Sequence, residues 1–209
     1  MLGAPLAVDI VAPMHDLEPS VRTVIHQCLA VRDGEEAVVV VDPGTGALGQ
    51  ALRDEAARAG ADAVLLLMDE RPNDGAEPPA VVAAALRACD VFIAPTSKSL
   101  SHTAARKAAT DAGARGATMP GVTEDMLARV MAVDFDLMAR RSRSVARLLS
   151  DGEAARVSCP RGTDLELDLT GRSGVADDGD LTESGTFGNL PCGEGFIAPA
   201  GGEGQMVAS

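Results

Sequence analysis

Between residues 35 and 116 the chain repeats one pattern: a short apolar run, a turn, an alanine-rich stretch with helical spacing, then the next apolar run. The runs at 37–41, 63–68 and 91–94 are continuous rather than alternating, as strands buried on both faces are. The stretches 48–59, 79–88 and 103–112 read as helices, with Gly60 and Gly113 where helices end. This alternation predicts βαβ units, hence an α/β fold with a parallel sheet and helices on both of its faces. Ahead of the repeat, Ser20 is placed to cap a helix reaching Val31. After it, Thr123-Glu124-Asp125 opens a helix running to Leu149. Its Met131, Phe135, Met138, Val145 and Leu149 form one apolar stripe, interrupted at Ser142.

At Ser150-Asp151-Gly152 the helical period gives way to strict alternation. Ala155, Val157 and Cys159 alternate with Arg156 and Ser158. Past a turn at Pro160-Arg161-Gly162-Thr163, Leu165, Leu167 and Leu169 alternate with Glu166, Asp168 and Thr170. This is the signature of a half-exposed antiparallel hairpin. The expected organisation is an N-terminal α/β domain over 1–150 and the start of a β-rich, α+β domain over 151–209. The latter has too few strands to close its own core, so it reads as truncated.

Composition narrows the function. With 46% hydrophobic and 23% charged residues, the chain buries a core rather than remaining disordered. Eighteen basic against 31 acidic residues give a net charge of −13, which opposes nucleic acid and anionic lipid as partners. No apolar run approaches the ~20 residues of a membrane span, and no secretory leader is evident. Arg140, Arg141, Arg143 and Arg147 then read as a solvated helix face. Cys28, Cys89, Cys159 and Cys192 lie too far apart for a disulfide framework or a zinc finger, so free thiols in the cytoplasm are expected.

Three stretches invite chemistry. Gly44-Thr45-Gly46-Ala47-Leu48-Gly49 follows a predicted strand, and Asp69 stands where a dinucleotide fold would hold its ribose acid. Asp42, just before it, would repel a pyrophosphate, so the expectation is a strand-to-helix turn without cofactor. Thr96 to Thr103, with His102, Arg106 and Lys107, could grip an anion, although capping by Ser101 or Thr103 is the stronger reading. His15 and His26 have no partners at ligand spacing. Among the acids of the Gly-rich C-terminal stretch, Asp177, Asp178 and Asp180 read as solvated loop residues. Glu194, between two glycines in Asn189-Leu190-Pro191-Cys192-Gly193-Glu194-Gly195, is an odd place for a carboxylate unless a cation meets it.

That last segment resembles the N-P-x-G-E stretch of the aminopeptidase S and aminopeptidase T family of metallopeptidases. Ser101-His102-Thr103 with Arg106-Lys107, Gly113-Ala114-Arg115, Met119-Pro120-Gly121-Val122-Thr123 with Met126, Gly162-Thr163-Asp164-Leu165 and Gly171-Arg172 occur in the same order. The resemblance implies a metal-dependent aminopeptidase, or the N-terminal portion of one, acting on peptides in the cytoplasm and assembled as a homodimer. It implies two divalent ions (zinc, cobalt, manganese or magnesium) per complete site, with Glu194 as the first metal ligand. The other ligands of that family follow later in its chains, and no catalytic residue is assigned. As an alternative, the resemblance also reaches ring-cleaving, iron-dependent dioxygenases of dihydroxypyridines. A nucleotide-binding or interaction module is the remaining alternative.

Overall fold

The computed structural model describes residues 16–208. Its centre is a parallel sheet of five strands in the order β2-β1-β3-β4-β8, formed by β1 (Glu36–Val41), β2 (Asp62–Leu67), β3 (Val91–Ala94), β4 (Arg115–Thr118) and β8 (Phe187–Asn189). The alternate residues of each strand feed two cores. Val39, Val41, Ile93 and Ala117 pack on one face with α2 (Gly46–Arg58) and α5 (Glu124–Val130). On the other, Val38, Val40, Phe92 and Ala94 pack with α3 (Ala80–Ala88) and α4 (Ala104–Asp111). The α/β architecture with helices on both faces is the one that the apolar runs predict. β2 departs from full burial because it is an edge strand, leaving Val64 and Leu67 exposed.

Two helices differ from expectation. In place of one helix from Ser20 to Val31, α1 (Glu18–Arg22) runs into a π-helical segment (Thr23–Cys28). Ser20 lies inside α1, buried and not a cap. The helix expected over 123–149 is two, α5 and α6 (Phe135–Asp151), because Asp134 accepts a hydrogen bond from Leu137 N and starts a new helix. The buried seam of α6 is Phe135, Ala139, Ser142 and Ala146, with Val145 on its exposed side. Ser142 is therefore part of the seam, its hydroxyl donating to Met138 O at 3.2 Å.

Beyond residue 150 the chain forms β5 (Ala154–Ser158), β6 (Asp164–Asp168), β7 (Val175–Asp177), β8, β9 (Glu194–Phe196) and β10 (Gly201–Gln205). The expected hairpin is β5 and β6, and β10 adds to its other side. β7 and β9 pair as a two-stranded ribbon, and β8 returns to the parallel sheet beside β4. The ribbon lies tightly on α6. A Cβ on Gly195 would stand 2.8 Å from Ala146 N, and one on Gly174 would stand 2.2 Å from Ala146 O. Small residues on both sides permit this approach. Among the described residues, no helix is long and apolar enough to cross a membrane.

Candidate functional site

In open α/β sheets ligands gather outside the carboxyl ends of the strands, where the order reverses. Here the reversal falls between β1 and β3, and the chain fills it itself. The buried Asp42 side chain accepts from Ser97 N at 2.5 Å, Ser97 Oγ at 2.9 Å and Gly44 N at 3.1 Å. The glycine-rich turn has a packing reason as well, since a Cβ on Gly49 would stand 2.1 Å from Val41 Cγ1. Asp69 is exposed beyond β2. Asp42 thus occupies an amide that a pyrophosphate would need, and the motif is a strand-to-helix turn.

The second stretch is likewise occupied from within. Thr103 Oγ1 caps α4, accepting from Arg106 N at 3.2 Å and donating to Leu100 O at 2.8 Å. The Glu77 carboxylate accepts from Ala104 N at 2.6 Å and Ala105 N at 3.1 Å, taking the place an anion would fill. Arg106 turns aside, its guanidinium 4.2 Å above the Phe187 ring and its Nε donating to Ser101 O at 2.8 Å. His102 stands exposed on the intervening turn. Beside it, Ser101 Oγ lies 2.7 Å from Thr118 Oγ1, and both hydroxyls reach Asn189 Oδ1, at 2.9 and 2.6 Å. This polar cluster at the ends of β4 and β8 is the part of the site that sequence spacing does not reveal, because its members are 17 to 88 positions apart.

The third stretch gathers acids. In the β7–β9 register Asp177 faces Glu194. Burial raises the Asp177 pKa, and the charges of Glu194 and Asp178 raise it further. Asp177 is thus a half-buried strand residue, and Asp178 is held by Arg143 Nε at 2.5 Å, so neither is the solvated loop acid that composition suggests. Asp180 lies 3.4 Å from the same guanidinium. Alongside runs a cleft of about 680 Å³, lined by Gln27, Phe135, Arg140, Arg143, Asp178 and Thr182 among others. Burial and the neighbouring Asp177 and Asp178 push the Cys192 thiol up to about 12, so it offers no thiolate at neutral pH. His26 is apart from all of these, its Nε2 2.7 Å from the buried Glu55, and His15 lies outside the described residues.

Among the described residues, no group of three or more histidine, cysteine or acidic side chains is gathered closely enough to hold a metal ion. Glu194 and Asp177 supply two facing carboxylates and no more. Their repulsion is measurable. E194Q is expected to raise the thermal midpoint at pH 7 by about 1–3 °C, since like charges across strands cost roughly 0.2–1 kcal/mol. Asp177 titrates above its unfolded value, so the repulsion is complete above that raised pKa and fades as Asp177 takes up a proton on acidification. The gain should therefore shrink toward acid pH. An unchanged midpoint at pH 7 would show that the two charges do not meet.

Comparison with known proteins corrects the aminopeptidase reading. The 2,5-dihydroxypyridine dioxygenase of Pseudomonas putida KT2440 superposes with a TM-score of 0.72 at 18% identity, over 90% of this chain and 57% of that one. Wild-type AmpT of Thermus thermophilus superposes less well, with a TM-score of 0.56 at 20% identity, over 88% of this chain and 61% of that one. The chain therefore spans about three fifths of either structure, and at these identities the likeness is one of fold. No curated protein sequence matches it. What decides between hydrolase and dioxygenase is the sequence family, whose pattern covers residues 16–209. The segments that resemble aminopeptidases belong to a fold the two groups share, which is why they could not separate them. By that match the chain belongs to the NicX family, described as 2,5-dihydroxypyridine 5,6-dioxygenase.

Proposed function

We propose that this chain carries the N-terminal α/β part, and the first strands of a second domain, of an iron-dependent dioxygenase that opens a dihydroxylated pyridine ring. The observation that carries the reading is the family match over residues 16–209. A bound ferrous ion supplies the one-electron chemistry through which dioxygen reacts with a ring diol. The described residues fall short of an iron site, so what they contribute is binding and orientation. Glu194 is the carboxylate assigned to the metal, with Asp177 opposite it as a second oxygen donor when a cation relieves their repulsion. A single iron replaces the two divalent ions expected from the aminopeptidase resemblance.

The open end of the sheet supports a planar, oxygen-bearing ligand better than a phosphate. Its helix N-terminus and its β1–β3 crevice are both taken by the chain's own carboxylates, whereas hydroxyl and amide groups cluster beside β4 and β8. The free thiols, with Cys28 and Cys89 buried, suit a reducing cytoplasm, and a homodimer remains part of the proposal.

Expressed from its native reading frame, loaded with ferrous ion under argon and mixed with pyridine-2,5-diol in aerated buffer, the protein is expected to consume one dioxygen per ring. An oxygen electrode and the loss of the ring's ultraviolet band should agree. Amino-acid anilides should stay intact. Hydrolysis of the anilides with no oxygen uptake from the diol would overturn the reading.

A further inference from the structure

β2 forms one edge of the parallel sheet. Asp62 N donates to Glu35 O at 2.8 Å and Met68 N to Val41 O at 3.0 Å, so the backbone of residues 62, 64, 66 and 68 faces β1. The backbone of Ala63, Leu65 and Leu67 therefore points away from the sheet. Among the described residues, the one partner on that side is Arg53, whose Nε donates to Ala63 O at 2.9 Å. The side chains of this edge are uncovered too, with Leu67 67% and Val64 44% exposed and Leu65 and Leu66 partly so. Open edges usually carry a lysine, a proline or a bulge that turns another strand away. Between Asp62 and Asp69 there is none: the residues are Ala63-Val64-Leu65-Leu66-Leu67-Met68, and their register with β1 is unbroken. The opposite edge is protected, since β8 is three residues long and Pro191 follows it closely.

The charges at the two ends of this edge are opposite. Arg53 stands at its start, beside Ala63; Nη1 bonds Asp54 at 3.1 Å, and Nη2 has no partner among the described residues. Asp69 stands just past its end, exposed and likewise without a partner among the described residues. A strand that is apolar in the middle, basic at one end and acidic at the other is complementary to itself once turned round. We propose that β2 pairs antiparallel with β2 of a second copy about a two-fold axis at Leu65, joining the two parallel sheets into one. Leu65 then faces the partner's Leu65, Ala63 faces the partner's Leu67, and Val64 faces the partner's Leu66. The Ala63 carbonyl keeps its bond from Arg53 and accepts the incoming N–H with its second lone pair. Each exposed leucine comes to lie over apolar surface, and each Asp69 lies beside the partner's Arg53. This gives a face to the homodimer of the proposed function and rests on that part of the reading, not on the reaction.

The test is sedimentation velocity over a concentration series, with protein expressed from its native reading frame. The unsubstituted protein is expected to associate as a dimer. L67K sets an ammonium against the partner's Arg53 and should weaken the dimer at least about 10-fold. D69R faces like charges at both symmetric ends and should weaken it roughly 3- to 10-fold. Adding R53E to D69R remakes the pair in reverse and should restore most of that loss. Leu67 and Asp69 are exposed, so at a dilution where every variant is monomeric, L67K and D69R should keep the thermal midpoint of the unsubstituted protein. A monomer at every concentration overturns the inference and the homodimer together, and leaves the dioxygenase reading standing. A dimer that L67K does not weaken uses another surface and overturns the inference alone. So does a D69R dimer that R53E fails to rescue, because the antiparallel register requires those two residues to meet.

Discussion

Replacing Arg115 by methionine is expected to lower the stability of the chain by about 3–5 kcal/mol, the cost of removing one partner of a buried ion pair. Arg115 opens β4 and is 4% exposed. Its guanidinium bonds Glu35 twice, at 2.9 and 2.7 Å, and also donates to Leu29 O at 2.7 Å and Ala30 O at 3.0 Å. One side chain therefore ties the end of the π-helical segment and the approach to β1 onto the start of β4. R115M leaves two carbonyls without that donor and a half-buried carboxylate without its cation. At roughly 2–4 °C per kcal/mol for a chain of this size, the thermal midpoint should fall by about 8–15 °C. The double variant R115M/E35Q, which removes both charges, should recover part of the loss. Burial would raise the Glu35 pKa, yet the Arg115 hydrogen bonds and charge, with the Arg32 N–H, hold it below the usual range. Such a depressed carboxyl lends stability that is present above its unfolded pKa and lost as pH falls through the folded one. The gap between wild type and R115M should thus narrow in acid. A urea midpoint unchanged at pH 7 would show that the clamp contributes nothing.

The sheet was legible where burial repeats in the sequence. β1, β2 and β3 contain continuous apolar runs bounded by turns, the pattern of sheet-core strands, with β1 and β3 buried on both faces and β2 partly exposed at the edge. β4 and β8 were not, and the reason is physical. β4 reads Arg-Gly-Ala-Thr and β8 reads Phe-Gly-Asn, with glycines set where neighbours press. A Cβ on Gly116 would stand 2.5 Å from the Phe92 ring, and one on Gly188 would stand 2.9 Å from Leu181 Cδ2. A strand that must be thin to let an aromatic or a leucine lie over it carries no hydrophobic signature. The break between α5 and α6 was hidden for another reason: Asp134 looks like any polar residue on a helix surface until its side chain is seen to cap.

The site was legible in its acids and hydroxyls but not in their grouping. Glu194 stood out because two glycines flank it, and the register then shows what those glycines do: Gly195 lets the ribbon lie against Ala146, while Gly193 adopts φ +129° against Met138. Asp177 could not be matched to Glu194 from sequence, since the pairing depends on two three-residue strands seventeen positions apart that carry no alternation of their own. The choice of family was harder still. The ordered segments that resemble aminopeptidases are fold-bearing ones. Thr103 caps α4, Thr123 caps α5 and Arg115 clamps β4, tasks that any enzyme built on this fold must perform whatever it does to its substrate.

D42A is expected to cost about 3 kcal/mol and to loosen the whole carboxyl end of the sheet. The Asp42 side chain is 1% exposed and gathers Ser97 N, Ser97 Oγ and Gly44 N, with Thr45 Oγ1 at 3.4 Å. Alanine leaves these donors without their acceptor. Each hydrogen bond to a charged acceptor contributes roughly 1.5–3 kcal/mol, partly recovered here as water enters beside the exposed Gly44. The thermal midpoint should fall by about 6–12 °C. D42N should behave nearly as badly, because its one oxygen cannot serve all these donors and its NH2 would point at another of them. S97A, which loses a single hydroxyl and keeps the Ser97 N–H bond, should cost only about 1 kcal/mol. The loss at Asp42 should also spread along the turn. Ser97 begins the segment through Ser99 to Ser101, and Ser101 holds Asn189 on the far side of the sheet. Amide hydrogen exchange should therefore quicken in D42A at residues 97–101 and again at Asn189, while β2, at the opposite edge, keeps its protection. Faster exchange confined to residues 42–49 would show that the Asp42 clamp and the Asn189 cluster are independent.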